Sequence, residues 1–183
     1  GGCCGVVGVG VCGVGRRCGG AWVRVDHEWG TPIDVERVLT VHPQPKVIAA
    51  VHAETSTGVL SDVASLGQNK GDALLIVDAV TSIGGLELRA DDWGIDVGYA
   101  GTQKCLGVPP GLSPFTMSGR AFERRITDPR SWYLDVGLLG GYAGASTGSG
   151  RTYHQTPPVT MIAGLGEGWQ RILAEARDPG TAE

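Results

Sequence analysis

Lysine is scarce in this sequence: only Lys46, Lys70 and Lys104 stand among its fifteen basic residues. Against nineteen acidic residues they leave a formal net charge of −4, so no basic excess points to a nucleic-acid partner. Aromatic residues make up 6% of the chain, and there are two Phe and two Met. No apolar run reaches the roughly eighteen residues of a membrane-spanning helix, so no membrane partner is expected. No charged-then-apolar leader opens these residues, and a cytoplasmic location is the expectation. The five cysteines, Cys3, Cys4, Cys12, Cys18 and Cys105, are odd in number and four are crowded at the start. They form no C-x-x-C pair, and His27, His42, His52 and His154 show no ligand spacing, so neither a disulfide framework nor a metal site is expected.

What is present fits an ordinary globular chain. The 183 residues are 42% hydrophobic and 19% charged, enough to bury a sizeable core. Glycine is in excess, with 31 residues where the usual share is about 7%. Nine of these fall in residues 1–20. That segment is low in complexity, and irregular, poorly ordered backbone is expected there, apart from a domain over 21–183. Within it, Gly8-Val9-Gly10-Val11-Cys12-Gly13 fits G-x-G-x-x-G, and Asp26 follows eighteen residues after Gly8. A dinucleotide fingerprint needs a helix after the third glycine. Only Val14–Gly20 is available for it, with three more glycines, so the match is read as chance.

From Ala21 onward, short apolar runs alternate with helical patterns. Strands are expected at 21–26, 46–52, 73–80, 95–100 and 112–118. Helices are expected from Thr31-Pro32, over 60–70, over 119–127 and over 157–177. Gly137–Gly150 reads as a loop. This alternation predicts an α/β sandwich with a mostly parallel sheet. Ligands of such sheets sit beyond the carboxyl ends of the strands. Thr55, Asp78, Gln103 and Lys104 are the polar residues expected there.

Asp78 ends the apolar run 73–80. A buried carboxylate is costly unless paired. It is therefore a helix cap, half of a structural ion pair, or the partner of a bound cation such as a protonated ring nitrogen. Lys104 follows the 95–100 run and precedes an apolar, Gly- and Pro-rich segment. Lysines at strand ends are usually solvated. In this setting desolvation is the alternative; it would lower the amine's pKa and make it a nucleophile for aldehydes. Together, the carboxylate and the lysine are the two polar anchors that a pyridoxal ring needs. His52 is expected to be a satisfied core histidine, and Cys105 a small packing residue.

Three segments extend this reading: VHAETSTGV at 51–59, VDAVTSIGG at 77–85 and YAGTQKCLGVPPG at 99–111. With SWYLD at 131–135 and YHQTP at 153–157, they resemble the class-V pyridoxal-phosphate-dependent aminotransferases over roughly residues 16–177. The branch they are most similar to contains the alanine–glyoxylate and serine–pyruvate enzymes. The resemblance implies part of the large domain of a type-I pyridoxal-phosphate fold. It also implies transamination between alanine or serine and glyoxylate or pyruvate, in a homodimer whose sites are completed across the interface. It implies that Lys104 holds the aldehyde carbon of pyridoxal 5'-phosphate and that Asp78 pairs with the ring nitrogen. Val80 would pack on the ring, Thr55 would bond near its substituents and Gln103 would bind the phosphate. Tyr153 and Thr156 match residues that reach the neighbouring subunit's phosphate. On sequence, Thr156 before Pro157 is also a plausible helix N-cap. Cysteine desulfurases usually carry His where Gln103 stands, which argues against that branch. The family's upstream phosphate loop and its downstream small domain with a carboxylate-binding Arg are not visible in these residues. A partial chain is therefore expected, and the alternative is a non-catalytic remnant that at most binds a partner subunit.

Overall fold

The two most apolar runs lie side by side in the sheet. In the computed structural model, which describes residues 2–3, 6–142 and 153–177, β3 (Val47–Val51) pairs in parallel with β6 (Leu74–Asp78). β6 pairs in parallel with β7 (Val97–Tyr99), and β7 pairs antiparallel with β8 (Phe115–Met117). The order is β3-β6-β7-β8. The last pair runs antiparallel because no crossover helix lies between the strands; the chain simply turns back through 101–114. Two small ribbons flank this sheet: β1 (Gly2–Cys3) parallel to β2 (Val25–Asp26), and β4 (Ala53–Glu54) antiparallel to β5 (Val59–Leu60).

Side chains alternate across β6. Leu75 and Val77 are fully buried, while Leu74 and Ile76 are half-buried. The buried face packs with Ile48, Ala50 and Ile95, with Val38 of α2 (Val35–Thr40), and with Val63 and Leu66 of α3 (Val63–Asn69). Each fully buried Leu or Val contributes about 1.5–3 kcal/mol. Helix α3 approaches the chain so closely at Gly67 that any Cβ would collide with the Trp93 carbonyl.

Helices α2, α3 and α4 (Gly119–Glu123) each begin at a polar cap that accepts a backbone N–H: Asp34 from Arg37, Asp62 from Ser65, and Ser118 from Ala121. The starts at Asp34 and Asp62 lie later than expected, because each cap side chain fixes the first turn. Three expectations are corrected more substantially. Val6–Arg17, expected to be irregular, is a helix, α1. Gly8, Gly10 and Gly13 lie inside it and form no loop around a phosphate. The helix packs beside β1 and β3 and buries Cys12, so tertiary contact outweighs the poor helix propensity of glycine. Val136–Tyr142, expected to be loop, is helix α5, with Asp135 accepting from the Gly137 and Leu138 N–H groups at its start. The remainder of that glycine-rich stretch, 143–150, lies outside the described residues. The long final helix, α6, spans Val159–Arg177. The Pro158 carbonyl accepts its first bonds, from Met161 and Ile162, so Thr156 is not the N-cap. A residue before Pro is pushed toward extended backbone, which delays the helix past both prolines.

Candidate active site

Asp78 is the last residue of β6 and lies in register with Val51 on one side and Tyr99 on the other. It is 5% exposed. Its Oδ1 accepts the Val80 N–H at 3.0 Å, a local turn of the kind Asp favours. Its Oδ2 accepts the Tyr99 hydroxyl at 2.7 Å. Both donors are neutral, and no ion pair reaches Asp78 among the described residues. Of the alternatives open on sequence, the structural ion pair is therefore removed. The local turn is present but occupies one oxygen only. Tyr99 escaped sequence reasoning; its strand was legible, but the pairing that sets it against Asp78 was not. Burial, and then the hydrogen bond and negative charge of Asp78, push the Tyr99 phenol well above its ordinary pKa, so it remains an O–H donor.

The loops beyond the neighbouring strands meet at the same sheet edge. Thr55, exposed in the turn after β4, shares a hydrogen bond with the Thr81 hydroxyl. The Thr81 carbonyl accepts the Cys105 thiol at 3.0 Å. A Cβ on Gly85 would lie 2.9 Å from that sulfur. Thr55, Thr81 and Cys105 thus tie together the segments that follow β4, β6 and β7. Val80 is half-buried beside Asp78.

Gln103 and Lys104 follow β7 in a turn anchored at both ends by buried residues: Thr102 is fully buried and Leu106 is 3% exposed. The Thr102 hydroxyl donates to the Pro109 carbonyl at 2.7 Å and closes the loop on itself. Between these anchors Gln103, Lys104 and Cys105 face out. Of the two readings open on sequence for Lys104, the structure therefore gives the exposed one rather than desolvation. The Gln103 amide bends back over Gly101, where a Cβ would lie 2.8 Å from its Oε1. Helix α6 presses on the same loop at Gly168, a position that sequence reading took only as a weak point of the helix. A Cβ there would come within 2.8 Å of the Leu106 carbonyl and 2.7 Å of Val108.

His52 is buried as expected, edge-on to Trp93 at 5.8 Å. It is not satisfied among the described residues, however, since its Nδ1 has no hydrogen-bond partner there. Burial lowers its pKa. Tyr153 and Thr156 form a separate pair. Their hydroxyls are 2.8 Å apart, and the Tyr153 ring lies edge-on to Tyr142. Tyr153 is exposed, and neither residue bonds to Asp78, Thr55, Gln103 or Lys104. Among the described residues, no three His, Cys, Asp or Glu gather as metal ligands, and no helix is long and apolar enough to cross a membrane.

A buried carboxylate with neutral donors only, a half-buried aliphatic side chain beside it and an exposed amine on the same edge form a definite donor set. They fit a flat ring that carries a protonated nitrogen and an aldehyde. In comparison with known proteins, the aminotransferase class-V family matches residues 20–174. The chain belongs to the class-V aminotransferases. It falls in their alanine–glyoxylate branch, and the family depends on pyridoxal phosphate. It is 37% identical over 167 residues to the alanine–glyoxylate aminotransferase of Drosophila melanogaster, covering 87% of this chain and 42% of that protein. It is 41% identical over 139 residues to the same enzyme of Oryctolagus cuniculus, covering 73% and 35%. The crystal structure of alanine–glyoxylate aminotransferase from Nostoc sp. superposes with a TM-score of 0.85 at 40% identity, covering 95% of this chain and 47% of that one. That of ureidoglycine–glyoxylate aminotransferase from Bacillus subtilis gives 0.86 at 36%, covering 95% and 46%. The chain thus spans less than half the length of these relatives.

Proposed function

We propose that this chain is the cofactor-binding part of a pyridoxal-phosphate-dependent aminotransferase that exchanges the amino group of alanine or serine with glyoxylate or pyruvate. The observation that carries this reading is Asp78, a buried carboxylate that the described residues supply with neutral donors and no cation. Pyridoxal phosphate, when bound, supplies an electron sink for the bonds at the substrate's α-carbon. On this reading Asp78 holds a proton at the ring nitrogen. Val80 packs on the ring face, Thr55 bonds near its substituents and Gln103 takes the phosphate. Lys104 would hold the aldehyde carbon through Nζ; once the substrate's amine displaced it there, the freed Nζ of this exposed residue would serve as base and acid for the proton on the substrate's α-carbon. The donor and acceptor follow from the named relatives and belong to the proposal.

The proposal extends to a homodimer in which Tyr153 and Thr156 complete the neighbour's phosphate site. Two features support it. The two hydroxyls sit together with no role in their own chain's Asp78 cluster. Trp132, Tyr133 and Leu134 are each at least 60% exposed, and the Trp132 ring lies 4.2 Å from that of His154, next to Tyr153; exposed apolar groups of this kind are common on surfaces that meet a partner. The large domain would comprise residues 21–183.

The test is a titration of the chain with pyridoxal phosphate. A visible absorbance band should grow, disappear on borohydride treatment and leave a fixed added mass on the Lys104 peptide. The loaded species should sediment as a dimer. Lys104→Ala should abolish the covalent adduct. Absence of a band in the unaltered chain, or the added mass on Lys46 or Lys70 instead, would defeat the reading and favour the non-catalytic remnant.

A further inference from the structure

Both oxygens of Asp78 are held, but by donors of different origin. The Val80 N–H comes from the same turn, two residues on. The Tyr99 hydroxyl comes from the neighbouring strand, and the register Asp78↔Tyr99 sets it directly alongside. A terminal carboxylate torsion is broad and has no strong preferred angle of its own. One local donor leaves the carboxylate plane free to turn about that contact, whereas a second donor on the opposite oxygen fixes it. A carboxylate oxygen offers two acceptor positions, so each oxygen keeps room for one further donor. Tyr99 is half-buried, and its phenol stays protonated, so the contact persists across the working range of pH.

We infer that Tyr99 is a positioning residue for the cofactor: its hydroxyl clamps Asp78 Oδ2 so that the carboxylate meets the ring nitrogen already oriented. The inference rests on the reading of Asp78 as the partner of that nitrogen. Its physical basis is preorganisation. A carboxylate that is fixed before binding loses less freedom when the cation arrives. A hydrogen bond to an ionised group is also among the stronger ones. Tyr99 touches neither cofactor nor substrate on this account; it acts through Asp78 alone. Substitution by Phe keeps the ring in the strand and removes only the hydroxyl.

The experiment uses two probes, pyridoxal phosphate and its 1-deaza analogue, in which a C–H replaces the ring nitrogen. The dissociation constant of each is measured on the whole chain, for the unaltered protein, Tyr99→Phe and Asp78→Asn. The quantity read is the ratio of the two constants, analogue over natural cofactor, which isolates the contribution of the ring nitrogen. A merely structural role for Tyr99 would weaken both probes alike and leave the ratio unchanged. The expected result is a ratio that falls about tenfold in Tyr99→Phe, the size of one hydrogen bond to a charged group, and further in Asp78→Asn. The Tyr99→Phe/Asp78→Asn double variant should match Asp78→Asn alone. An unchanged ratio in Tyr99→Phe with a fallen ratio in Asp78→Asn would overturn the clamp and keep the reading of Asp78. An unchanged ratio in both variants, or no uptake of either probe by the unaltered chain, would overturn that reading and the clamp with it.

Discussion

Two buried carboxylates lie at opposite ends of the parallel strands, and the chain treats them differently. Asp96 precedes β7 at the amino edge and Asp78 ends β6 at the carboxyl edge, each 5% exposed. Asp96 receives Lys70 Nζ at 2.6 Å, Arg120 Nη2 at 3.1 Å, the Leu75 N–H at 2.9 Å and the Ser118 hydroxyl at 3.0 Å. Burial pushes its carboxyl up, but the Arg120, Lys70, Leu75 and Ser118 hydrogen bonds outweigh it and hold the pKa well below the usual carboxylate range. Asp78 receives one hydroxyl and one N–H, and no cation among the described residues. The amino edge is closed by charges of this chain, whereas at the carboxyl edge the described residues give Asp78 neutral donors only, which is what the proposed pairing with a ring nitrogen requires.

The comparison breaks most visibly in stability. Asp96→Asn leaves Lys70, whose side chain is 9% exposed, without its counter-charge in the interior. Removing one partner of a buried pair costs about 3–5 kcal/mol, and Asp96→Asn should lose that much in urea denaturation. Asp78→Asn should cost less, about 1.5–3 kcal/mol, because it weakens hydrogen bonds to a charged group but leaves no cation unpaired in the interior. Equal losses in the two variants would erase the distinction between the edges.

Acid sharpens it. The native pKa of Asp96 is held down, so its contribution is complete above the unfolded value of about 3.9 and declines as pH falls below that. Asp96→Asn should therefore flatten the stability profile below about pH 4. His52 titrates in a separate window. Burial keeps it neutral in the native chain, so the unfolded imidazole takes its proton first and stability falls as pH drops below about 6.5. Denaturation midpoints read at pH 7.5, 5.5 and 3.5 in the unaltered chain, Asp96→Asn and His52→Phe would separate the two. An unchanged acid slope in Asp96→Asn would remove the assigned role of Asp96.

The smallest effects concern α6. Gly168→Ala forces the helix off the Leu106 carbonyl and Val108, and overpacking of this kind costs about 1–3 kcal/mol. It should disturb the lysine turn and leave the Lys70–Asp96 pair intact, read by amide exchange at each edge. Gly164 and Gly166 have nothing within 4 Å of an added Cβ. Alanine at either should stabilise by about 0.5–1 kcal/mol. A loss at all three positions would show that helix propensity is not the limiting factor there.

Much of this was legible in the chain. The apolar runs around Ile48 and around Leu75 and Val77 announced β3 and β6, because a short continuous apolar run is written locally. The segments around Thr55, Asp78 and Lys104 carried the family, because each motif is contiguous. The glycine-rich start was misread for the same reason that it looked informative: composition reports propensity, and the packing of α1 beside β1 and β3 overrode it. The start of α6 shifted past Thr156 because two prolines in succession postpone the first helical bond.

The residues alone determined which segments become strands, which polar groups end them and which family the chain belongs to, since all three depend on neighbours in sequence. Only the tertiary structure decided that Tyr99 holds Asp78, that Lys70 and Arg120 close on Asp96, and that Lys104 faces outward. Those contacts span twenty or more positions, or depend on which way a turn folds. They are set by strand register and by the close approach of helices at Gly67 and Gly168. A one-residue slip of β7 against β6 would have moved Tyr99 to the other face and left Asp78 with its local N–H alone.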